Sequence, residues 1–508
     1  FDSSTSNNFI DIQGRGGNDT ITGNGFVRVN YGEAQDGVSV NLASGTAFDT
    51  DGTDNAGIGN DTISGANGVF GSKFDDTITG SSGADFLLGG AGNDVIDGGS
   101  NPTLSVSQQG DRVDYFNSDS GVIVDLSTAA NATVGSGTAQ DGFGGTDTLI
   151  NIEDIRGSRE FGDILTGDAG INRIRGEGGD DIIRAGAGDD RLRGGAGADI
   201  LDGGDGNDRV EYFSSAEGVT VNLANSELVS GGNAEGDTLI NIEEIAGSAH
   251  NDKLTGDSGN NKFDARDGVD VMIGGAGNDT YFDTTLDTTG AGGKFSNSGE
   301  DFNIVSYSGS TAGIVANVTS SSGLSVTDGL GGTDFIRNAD RINGTSSDDT
   351  FTLTDTTTKN WNGSGFGGFD ADSKALLSKT NSFIDIRGGG GNDTITGNGV
   401  TRINYQDATA GVDVTFSAEG TGTASSDTTT DAGIGTDTFT GVNAVVGSDF
   451  ADDFNGGAGN QSFRGEGGND VIDGGAGTDR VDYSNSESSV NVDLGGGTAS
   501  DGFGGTDS

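Results

Sequence analysis

The chain has 508 residues, 97 of them glycine, with one proline, no cysteine and a formal net charge of −54. So much glycine without a triplet period, and with so little proline, excludes a collagen-like protein, and the missing cysteine excludes disulfide bonds and thiol catalysis. Such acidity argues against nucleic acid or an anionic membrane as a direct partner, and without a run of about 18 apolar residues no transmembrane segment is expected.

Glycine-rich nonapeptides recur along the sequence. Five follow one another in register between Gly167 and Glu211: GDAGINRIR, GEGGDDIIR, AGAGDDRLR, GGAGADILD and GGDGNDRVE. Their sixth residue is aspartate in four copies and asparagine in the first, and their eighth residue is always aliphatic. Further copies lie at Gly14–Thr22, Gly71–Asp97, Gly247–Phe282, Gly344–Thr352, Gly388–Thr396 and Gly447–Asp482. Tandem copies in one register indicate a stacked repeat fold.

The spacing of the nonapeptide predicts how it folds. Its glycines allow the positive φ and the close backbone approach of a tight turn, and the residues around the aliphatic position make a short strand with one inward side chain. Two nonapeptides make one coil, so that aspartates two repeats apart stack. These stacked pairs are Asp76 and Asp94, Asp181 and Asp199, Asp190 and Asp208, Asp252 and Asp270, and Asp452 and Asp470.

Stacked carboxylates in turns, next to free backbone carbonyls, suit Ca²⁺, a hard cation that takes 6–8 oxygen ligands. Without the ion the same carboxylates repel one another. We therefore predict Ca²⁺ as the cofactor, with the following aspartates as ligands: Asp19, Asp76, Asp85, Asp94, Asp181, Asp190, Asp199, Asp208, Asp252, Asp270, Asp279, Asp393, Asp452, Asp470 and Asp479.

The nonapeptide resembles GGxGxDxUx, the calcium-binding repeat of the repeats-in-toxin (RTX) family, which forms parallel β-structure. This resemblance implies an all-β fold, an elongated right-handed parallel β-roll or β-helix solenoid with loop insertions. It also implies export in an unfolded state by type I secretion from a Gram-negative bacterium, without an N-terminal signal peptide, and an extracellular or cell-surface location.

Some repeats depart from the pattern. The first repeat of four runs has Phe74, His250, Ser347 or Phe450 where the fourth position favours glycine, and we expect these turns not to hold a full ion shell. Asn172, Asn261 and Gln461 replace the sixth-position aspartate, so sites that use them should be weak or absent.

A second kind of segment separates the nonapeptide runs. It begins with a strand that ends in tyrosine, continues with an alternating strand such as GVSVNL, and returns through a Gly/Thr/Asp turn to a further strand. We expect each copy to form a few coils whose loops bulge from the roll. The tyrosines are Tyr31, Tyr115, Tyr212, Tyr307, Tyr405 and Tyr483. Burial under these loops explains them better than an exposed ladder for binding glycans.

Run and connecting segment together form a module, and we predict boundaries at 1–112, 113–209, 210–304, 305–382, 383–480 and 481–508. The segment Phe9–Gly25 returns almost unchanged at Phe383–Gly399, so four modules make one super-repeat. The final DGFGGTDS matches Asp141–Thr148, where a module is half complete, and we expect the chain to belong to a longer repetitive protein.

One insertion lies outside this pattern. Asp355–Asn381 contains the only tryptophan, Trp361, and Phe369–Thr380 is the best candidate for a short helix. We expect a surface insertion here rather than a contact with a neighbouring molecule.

The sequence favours no enzymatic activity. The single histidine, His250, lies in a turn, which excludes HExxH zinc chemistry and a Ser-His-Asp triad. Paired carboxylates are compatible with glycoside hydrolysis, but they fall at the predicted calcium positions.

Three functions remain open. The leading hypothesis is a structural subunit of a bacterial surface layer, sheath or filament, which associates with copies of itself or with the cell surface. The second is the extender region of a giant adhesin, and the third is the repeat tail of a secreted enzyme.

Overall fold

We describe the protein from a computed structural model that covers residues 10–100, 109–127, 136–282, 302–320, 323–336, 339–353, 384–427 and 432–508. The chain divides into two compact units, Phe1–Ala246 and Gly247–Ser508. The predicted insertion with Trp361 and the predicted helix at Phe369–Thr380 lie outside the described residues. The module boundaries stay a prediction.

Unit 1 consists of short strands and two 3₁₀ turns, Ser226–Leu228 and Gly232–Ala234. Its strands are Ile10–Ile12, Thr20–Thr22, Val27–Asn30, Val38–Asn41, Thr46–Asp49, Asp61–Ser64, Gly68–Phe70, Thr77–Thr79, Phe86–Leu88, Val95–Asp97, Arg112–Asp114, Ile123–Asp125, Ser136–Gln140, Thr146–Ile150, Asp154–Arg156, Ile164–Thr166, Arg173–Gly178, Ile182–Ala187, Arg191–Ala196, Ile200–Asp205, Arg209–Glu211, Thr220–Asn222, Thr238–Ile240 and Glu244–Ala246.

Two ladders of strands run through unit 1. The ladder from Ile10–Ile12 to Glu244–Ala246 pairs in parallel at each described step. The other ladder is also largely parallel, but Thr46–Asp49 and Ser136–Gln140 are inserted antiparallel to their neighbours. Two connecting segments of unit 1 therefore insert an antiparallel strand into the sheet, in addition to the strands expected from the sequence.

The five-repeat run shows how the coils stack. Ile174 pairs with Leu192 in one ladder and Ile183 with Leu201 in the other, each in parallel and two nonapeptides apart. These four side chains and Val210 have no exposed surface, so the eighth position of every repeat builds the core between the ladders. The predicted coil of two nonapeptides is confirmed.

Unit 2 has the same construction. Its strands are Lys253–Thr255, Lys262–Asp264, Val269–Ile273, Thr280–Phe282, Phe302–Ser306, Val315–Ser320, Gly323–Thr327, Thr333–Ile336, Arg341–Asn343, Thr350–Thr352, Ile384–Arg387, Thr394–Asn404, Val412–Ala418, Thr421–Ser426, Thr436–Val446, Asp453–Asn455, Ser462–Arg464, Val471–Asp473, Arg480–Val481, Asn491–Asp493, Thr498–Ser500 and Thr506–Asp507.

Most strands of unit 2 also pair in parallel, with Lys253 opposite Val271 and Asp453 opposite Val471. Gly323–Thr327, Thr421–Ser426 and Thr498–Ser500 are antiparallel to their neighbours. No α-helix occurs in the part of the chain that the structure describes. The all-β, parallel-rich β-roll solenoid expected from the sequence is confirmed for each unit.

Candidate calcium site

The sixth-position aspartates of the five-repeat run form two columns of hydrogen bonds. In one column, Oδ1 of Asp181 accepts the backbone N–H of Asp163, and Oδ1 of Asp199 accepts that of Asp181, both at 2.8 Å. In the other column, Oδ1 of Asp208 accepts the N–H of Asp190 at 2.8 Å. One oxygen of each carboxylate therefore ties its turn to the turn one coil earlier.

The second oxygen of these carboxylates is different. Oδ2 of Asp181, Asp190, Asp199 and Asp208 is buried and accepts no hydrogen bond from the described residues. A buried carboxylate oxygen without a donor is unfavourable, since its hydrogen bonds to water are lost on folding and no protein donor replaces them. The same condition holds for Oδ2 of Asp19, Asp94, Asp279, Asp393 and Asp470, and for Oδ1 of Asp85.

In the repeats of Asp181, Asp199 and Asp208 the glycine at the first position keeps a space open beside this oxygen, whereas the repeat of Asp190 has Ala185 there. A side-chain carbon at Gly176 would overlap Oδ2 of Asp181 and would lie 2.8 Å from the carbonyl oxygen of Gly194. Likewise, a side-chain carbon at Gly194 would overlap Oδ2 of Asp199. The glycine thus leaves a cradle that a carboxylate oxygen and a backbone carbonyl share.

Burial makes these carboxylates hard to ionise. It raises the pKa of Asp181 to about 8, and the neighbouring charges of Asp199, Asp163 and Asp180 add to the rise. For the same main reason the pKa of Asp190 is about 7 and that of Asp199 about 6. Each site therefore favours a proton or a cation on the free oxygen.

The donor set fits Ca²⁺. The candidate ligand atoms at these turns are hard oxygen donors, from carboxylates and backbone carbonyls, which Ca²⁺ prefers. Among the described residues no three carboxylate, histidine or cysteine side chains group together as a metal site. An ion between two turns would therefore take much of its coordination from the backbone.

The comparison with known families agrees with this geometry. The family described as RTX calcium-binding nonapeptide repeat (4 copies) matches residues 11–25, 70–101, 159–192, 178–210, 246–281, 385–399 and 446–481. The chain carries RTX-type calcium-binding repeats. Its cofactor is Ca²⁺. No curated protein matches the chain as a relative.

The first turn of an RTX run has a different arrangement. Ser448 donates its backbone N–H to Oδ2 of Asp452 at 2.7 Å and its hydroxyl to Oδ1 at 2.7 Å. Asp76 and Asp252 receive the same two hydrogen bonds from Ser72 and Ser248. Both oxygens of these three predicted ligands therefore have protein donors, which satisfy them without an ion.

In these three turns the serine at the second position caps the aspartate four residues later. Serine alone is not the signal, because Ser81 holds the same position in the next repeat of its run and Oδ1 of Asp85 still lacks a hydrogen-bond partner among the described residues. The structure does not single out the fourth-position residues Phe74, His250 and Phe450, which lie exposed in the turn. The expectation that these turns hold less than a full ion shell is consistent with the serine caps.

The remaining predicted positions vary. Oδ1 of Asp270 accepts the N–H of Asp252 at 2.8 Å, and Oδ1 of half-buried Asp479 accepts that of Gln461 at 2.9 Å. Asn172 keeps the stack without a free oxygen, because its Oδ1 accepts the N–H of Asp168 and its Nδ2 donates to the carbonyl of Glu153. This arrangement explains why asparagine there should weaken ion binding.

Sequence reasoning missed a contact that joins each RTX run to its connecting segment. Tyr115 donates its hydroxyl to Oδ2 of Asp147 at 2.8 Å, and Oδ1 of Asp147 accepts the N–H of Asp94 at 3.0 Å. This Tyr–Asp clasp recurs six times, pairing Tyr31 with Asp61, Tyr115 with Asp147, Tyr212 with Asp237, Tyr307 with Asp334, Tyr405 with Asp437 and Tyr483 with Asp507.

The tyrosines are accordingly inside the fold. Five of them are buried and Tyr483 is half-buried, so burial and not a glycan-binding ladder accounts for their recurrence. The signal available in the sequence was the aspartate that follows a Gly/Thr turn 24 to 32 residues after each tyrosine.

A further set of aspartates was also missed. Asp141, Asp328 and Asp501 each open the repeated motif DG(F/L)GGTD, and each has a buried Oδ2 that lacks a hydrogen-bond partner in the described part of the chain.

Among the residues that the structure describes, no helix combines the length and the apolar character needed to cross a membrane.

Proposed function

We propose that this RTX protein is an extracellular structural protein whose calcium-bound modules build a bacterial surface layer, sheath or filament. The observation that carries the proposal is repetition of whole modules. The Tyr–Asp clasp recurs six times, and the segment Phe9–Gly25 returns at Phe383–Gly399. A stack that grows by nearest-neighbour contacts can be extended without a new core.

The calcium sites support the proposed location. RTX repeats are typical of extracellular proteins exported by type I secretion. Where free calcium is scarce, Oδ2 of inner-turn aspartates such as Asp181 and Asp199 has no hydrogen-bond partner among the described residues, and the chain carries its net charge of −54 without compensation. Folding is thereby linked to a calcium-rich compartment such as the cell exterior.

We further propose that this chain has no catalytic role. Its only histidine is exposed in a turn, and the chain has no cysteine. The carboxylate pairs that suggested glycoside chemistry are the calcium positions of the RTX runs. We therefore assign the chain no direct part in the chemistry of a secreted enzyme.

Electron microscopy of the producing cells tests the proposal, with antibodies against this chain as the label. An ordered lattice or continuous fibre that EGTA releases supports the structural assembly. Labelled single stalks that project from the cell would instead support the second candidate, an extender of a giant adhesin, for which module repetition also speaks. Label confined to a soluble secreted enzyme would contradict both.

A further inference from the structure

Three connecting segments contain the same tight turn, which we call the DGxGGTD turn: Asp141–Asp147, Asp328–Asp334 and Asp501–Asp507. In the first, Oδ1 of Asp141 accepts the backbone N–H groups of Phe143, Gly144 and Gly145 at 2.8 to 2.9 Å. The leading aspartates of the other two turns accept the equivalent three N–H groups. One oxygen of each leading aspartate is therefore fully used inside the turn.

The other oxygen of the leading aspartate has no such use. Asp141, Asp328 and Asp501 are each 0% exposed, and Oδ2 of each accepts no hydrogen bond from the described residues. Three fully buried, charged groups with the same unpartnered oxygen in three separate copies call for a common physical reason.

Each DGxGGTD turn lies against a nonapeptide turn near the end of a run, the last full one in the first two copies and the last but one in the third. In the first copy, the N–H of Thr146 donates to Oδ1 of Asn93 at 3.1 Å, and the N–H of Thr148 donates to the carbonyl of Asp94 at 2.7 Å. The contacts from Thr333 to Asn278 and from Thr506 to Asn469 repeat this docking at 2.8 Å.

The docked turn and the nonapeptide turn beneath it each contain one unpartnered carboxylate oxygen. Asp94 is 1% exposed and its Oδ2 also lacks a donor in the described structure. A side-chain carbon at Gly145 would lie 2.7 Å from Oδ2 of Asp141 and would overlap the carbonyl oxygen of Gly92, which belongs to the turn that ends in Asp94. Burial raises the pKa of Asp94 to about 8, and the charges of Asp147 and Asp141 raise it further.

The other two copies reproduce this arrangement. A side-chain carbon at Gly332 would lie 2.8 Å from Oδ2 of Asp328, and one at Gly505 would lie 2.5 Å from Oδ2 of Asp501. The facing carboxylates, Asp279 and Asp470, are each 1% exposed, with an Oδ2 that lacks a hydrogen-bond partner among the described residues.

The position of the turn explains why a second aspartate is present. Within a run, the aspartate two repeats later both accepts the preceding Asp N–H and keeps an oxygen free. At the end of the run Asp147 takes over the first task, but its Oδ2 is occupied by the hydroxyl of Tyr115. Asp141 supplies the free oxygen that Asp147 cannot.

We propose that each DGxGGTD turn completes a divalent cation site at the end of a nonapeptide run, with Asp94 and Asp141, Asp279 and Asp328, and Asp470 and Asp501 as the paired carboxylates. The donors are carboxylate and carbonyl oxygens, so the class of ligand is a hard cation, and Ca²⁺ is the one already used by the runs. Each of these three sites takes one carboxylate from the repeat motif and one from outside it, and so ties the connecting segment to the run.

The third connecting segment of unit 1 provides a natural comparison. There Asp237 accepts the N–H of Asp199 and the hydroxyl of Tyr212, as in the other clasps. The preceding residues are GGNAEG, however. Glu235 is exposed, and its carboxylate accepts a hydrogen bond from the backbone N–H of Gly231. No second free carboxylate faces Asp199 from the described residues of this segment, and we assign it no such site.

Calcium stoichiometry of the full chain tests the proposal, measured by titration calorimetry and native mass spectrometry with Ca²⁺ alone as the probe. Asp141→Asn should remove one calcium ion, and the triple variant with Asp328→Asn and Asp501→Asn should remove three. Asparagine keeps an Oδ1 acceptor for the three N–H groups, so a purely structural role predicts unchanged stoichiometry. Glu235→Gln removes one carboxylate from the connecting segment without a site and should change nothing.

An unchanged ion count in the single and triple variants would overturn the proposal, as would an equal loss in Glu235→Gln. Circular dichroism at saturating calcium checks that each variant folds. If the triple variant does not fold, the three single variants carry the same test, since each is expected to lose one ion while the calcium sites within the runs remain.

Discussion

The two carboxylate oxygens of the sixth-position aspartate have different roles. Oδ1 of Asp199 accepts the N–H of Asp181 and so joins adjacent coils, while Oδ2 stays buried and free for a cation. Two residues at this position keep no oxygen free. The side chain of Asn172 hydrogen-bonds to backbone atoms alone, and Ser448 donates one hydrogen bond to each carboxylate oxygen of Asp452. Aspartates at the same position of the repeat therefore differ in whether they keep a carboxylate oxygen free for a cation.

The Tyr–Asp clasp is the other contact that acts at the level of single residues. Tyr115→Phe should lower the free energy of unfolding by about 1–3 kcal/mol, because Oδ2 of buried Asp147 loses its donor. Denaturant unfolding at saturating calcium, followed by circular dichroism, measures this effect. Tyr483→Phe is the matched control and should cost less, since Tyr483 is half-buried and water can replace its hydroxyl. Equal losses in the two variants would contradict this account.

At the level of elements, runs and connecting segments alternate without breaking the ladders. Inside a run each strand pairs with the strand two nonapeptides away, as Thr77 does with Val95. The next pairing, Val95 with Thr148, spans a whole connecting segment and is still parallel. The connecting segment therefore leaves the stack of coils and rejoins it in register. The Tyr–Asp clasp and the docked DGxGGTD turn fix the strand at which it rejoins.

A run should consequently have a capped first turn and ion-binding inner turns. Ser448→Ala should destabilise the protein by about 1–3 kcal/mol, through loss of the hydroxyl donor to Asp452, and leave the calcium count unchanged. Asp190→Asn should instead lower the count, because it removes the free Oδ2 and keeps an acceptor for the N–H of Asn172. Calorimetric titration of both full-length variants makes the comparison. A lower count in Ser448→Ala would show that Asp452 binds an ion after all.

At the level of the whole molecule, charge decides whether the fold is stable. The chain has 79 acidic and 25 basic residues. Some carboxylates on the strands have basic partners, such as Asp385 with Arg341 and Arg402 at 2.8 and 2.9 Å, which hold its pKa down at about 2. Burial instead raises the pKa of turn aspartates such as Asp181, Asp94 and Asp470. Each bound ion adds about 2.7 kcal/mol when calcium is at 100 times the dissociation constant.

This difference predicts the pH dependence of the calcium-free protein. Burial raises the pKa of Asp181, Asp94 and Asp470 to about 8, from about 3.9 in the unfolded chain. The folded state thus binds more protons between these values, and stability is greatest near pH 4 and falls as pH rises to 8. Calcium takes the place of the protons, so the calcium-saturated protein should not lose stability over this range.

Thermal unfolding of calcium-depleted and calcium-saturated samples between pH 4 and 8 tests this behaviour. At pH 8, EGTA should also reduce the β signal in circular dichroism and increase the hydrodynamic radius. Stability of the depleted protein that rises with pH, or spectra and size unaffected by EGTA at pH 8, would contradict ion-coupled folding.

Local periodicity was enough to predict the coil, its core and its ion. A repeat of two nonapeptides places the same residue types one above another, so the inward aliphatic residues and the column of aspartates follow from the sequence alone. Which carboxylate oxygens stay free is visible only in the folded protein, because it depends on partners distant along the chain. Tyr115 meets Asp147 across 32 residues, and Asp94 meets the turn of Asp141 across a whole connecting segment. Such contacts arise from the return of the chain to the stack, which no local pattern encodes.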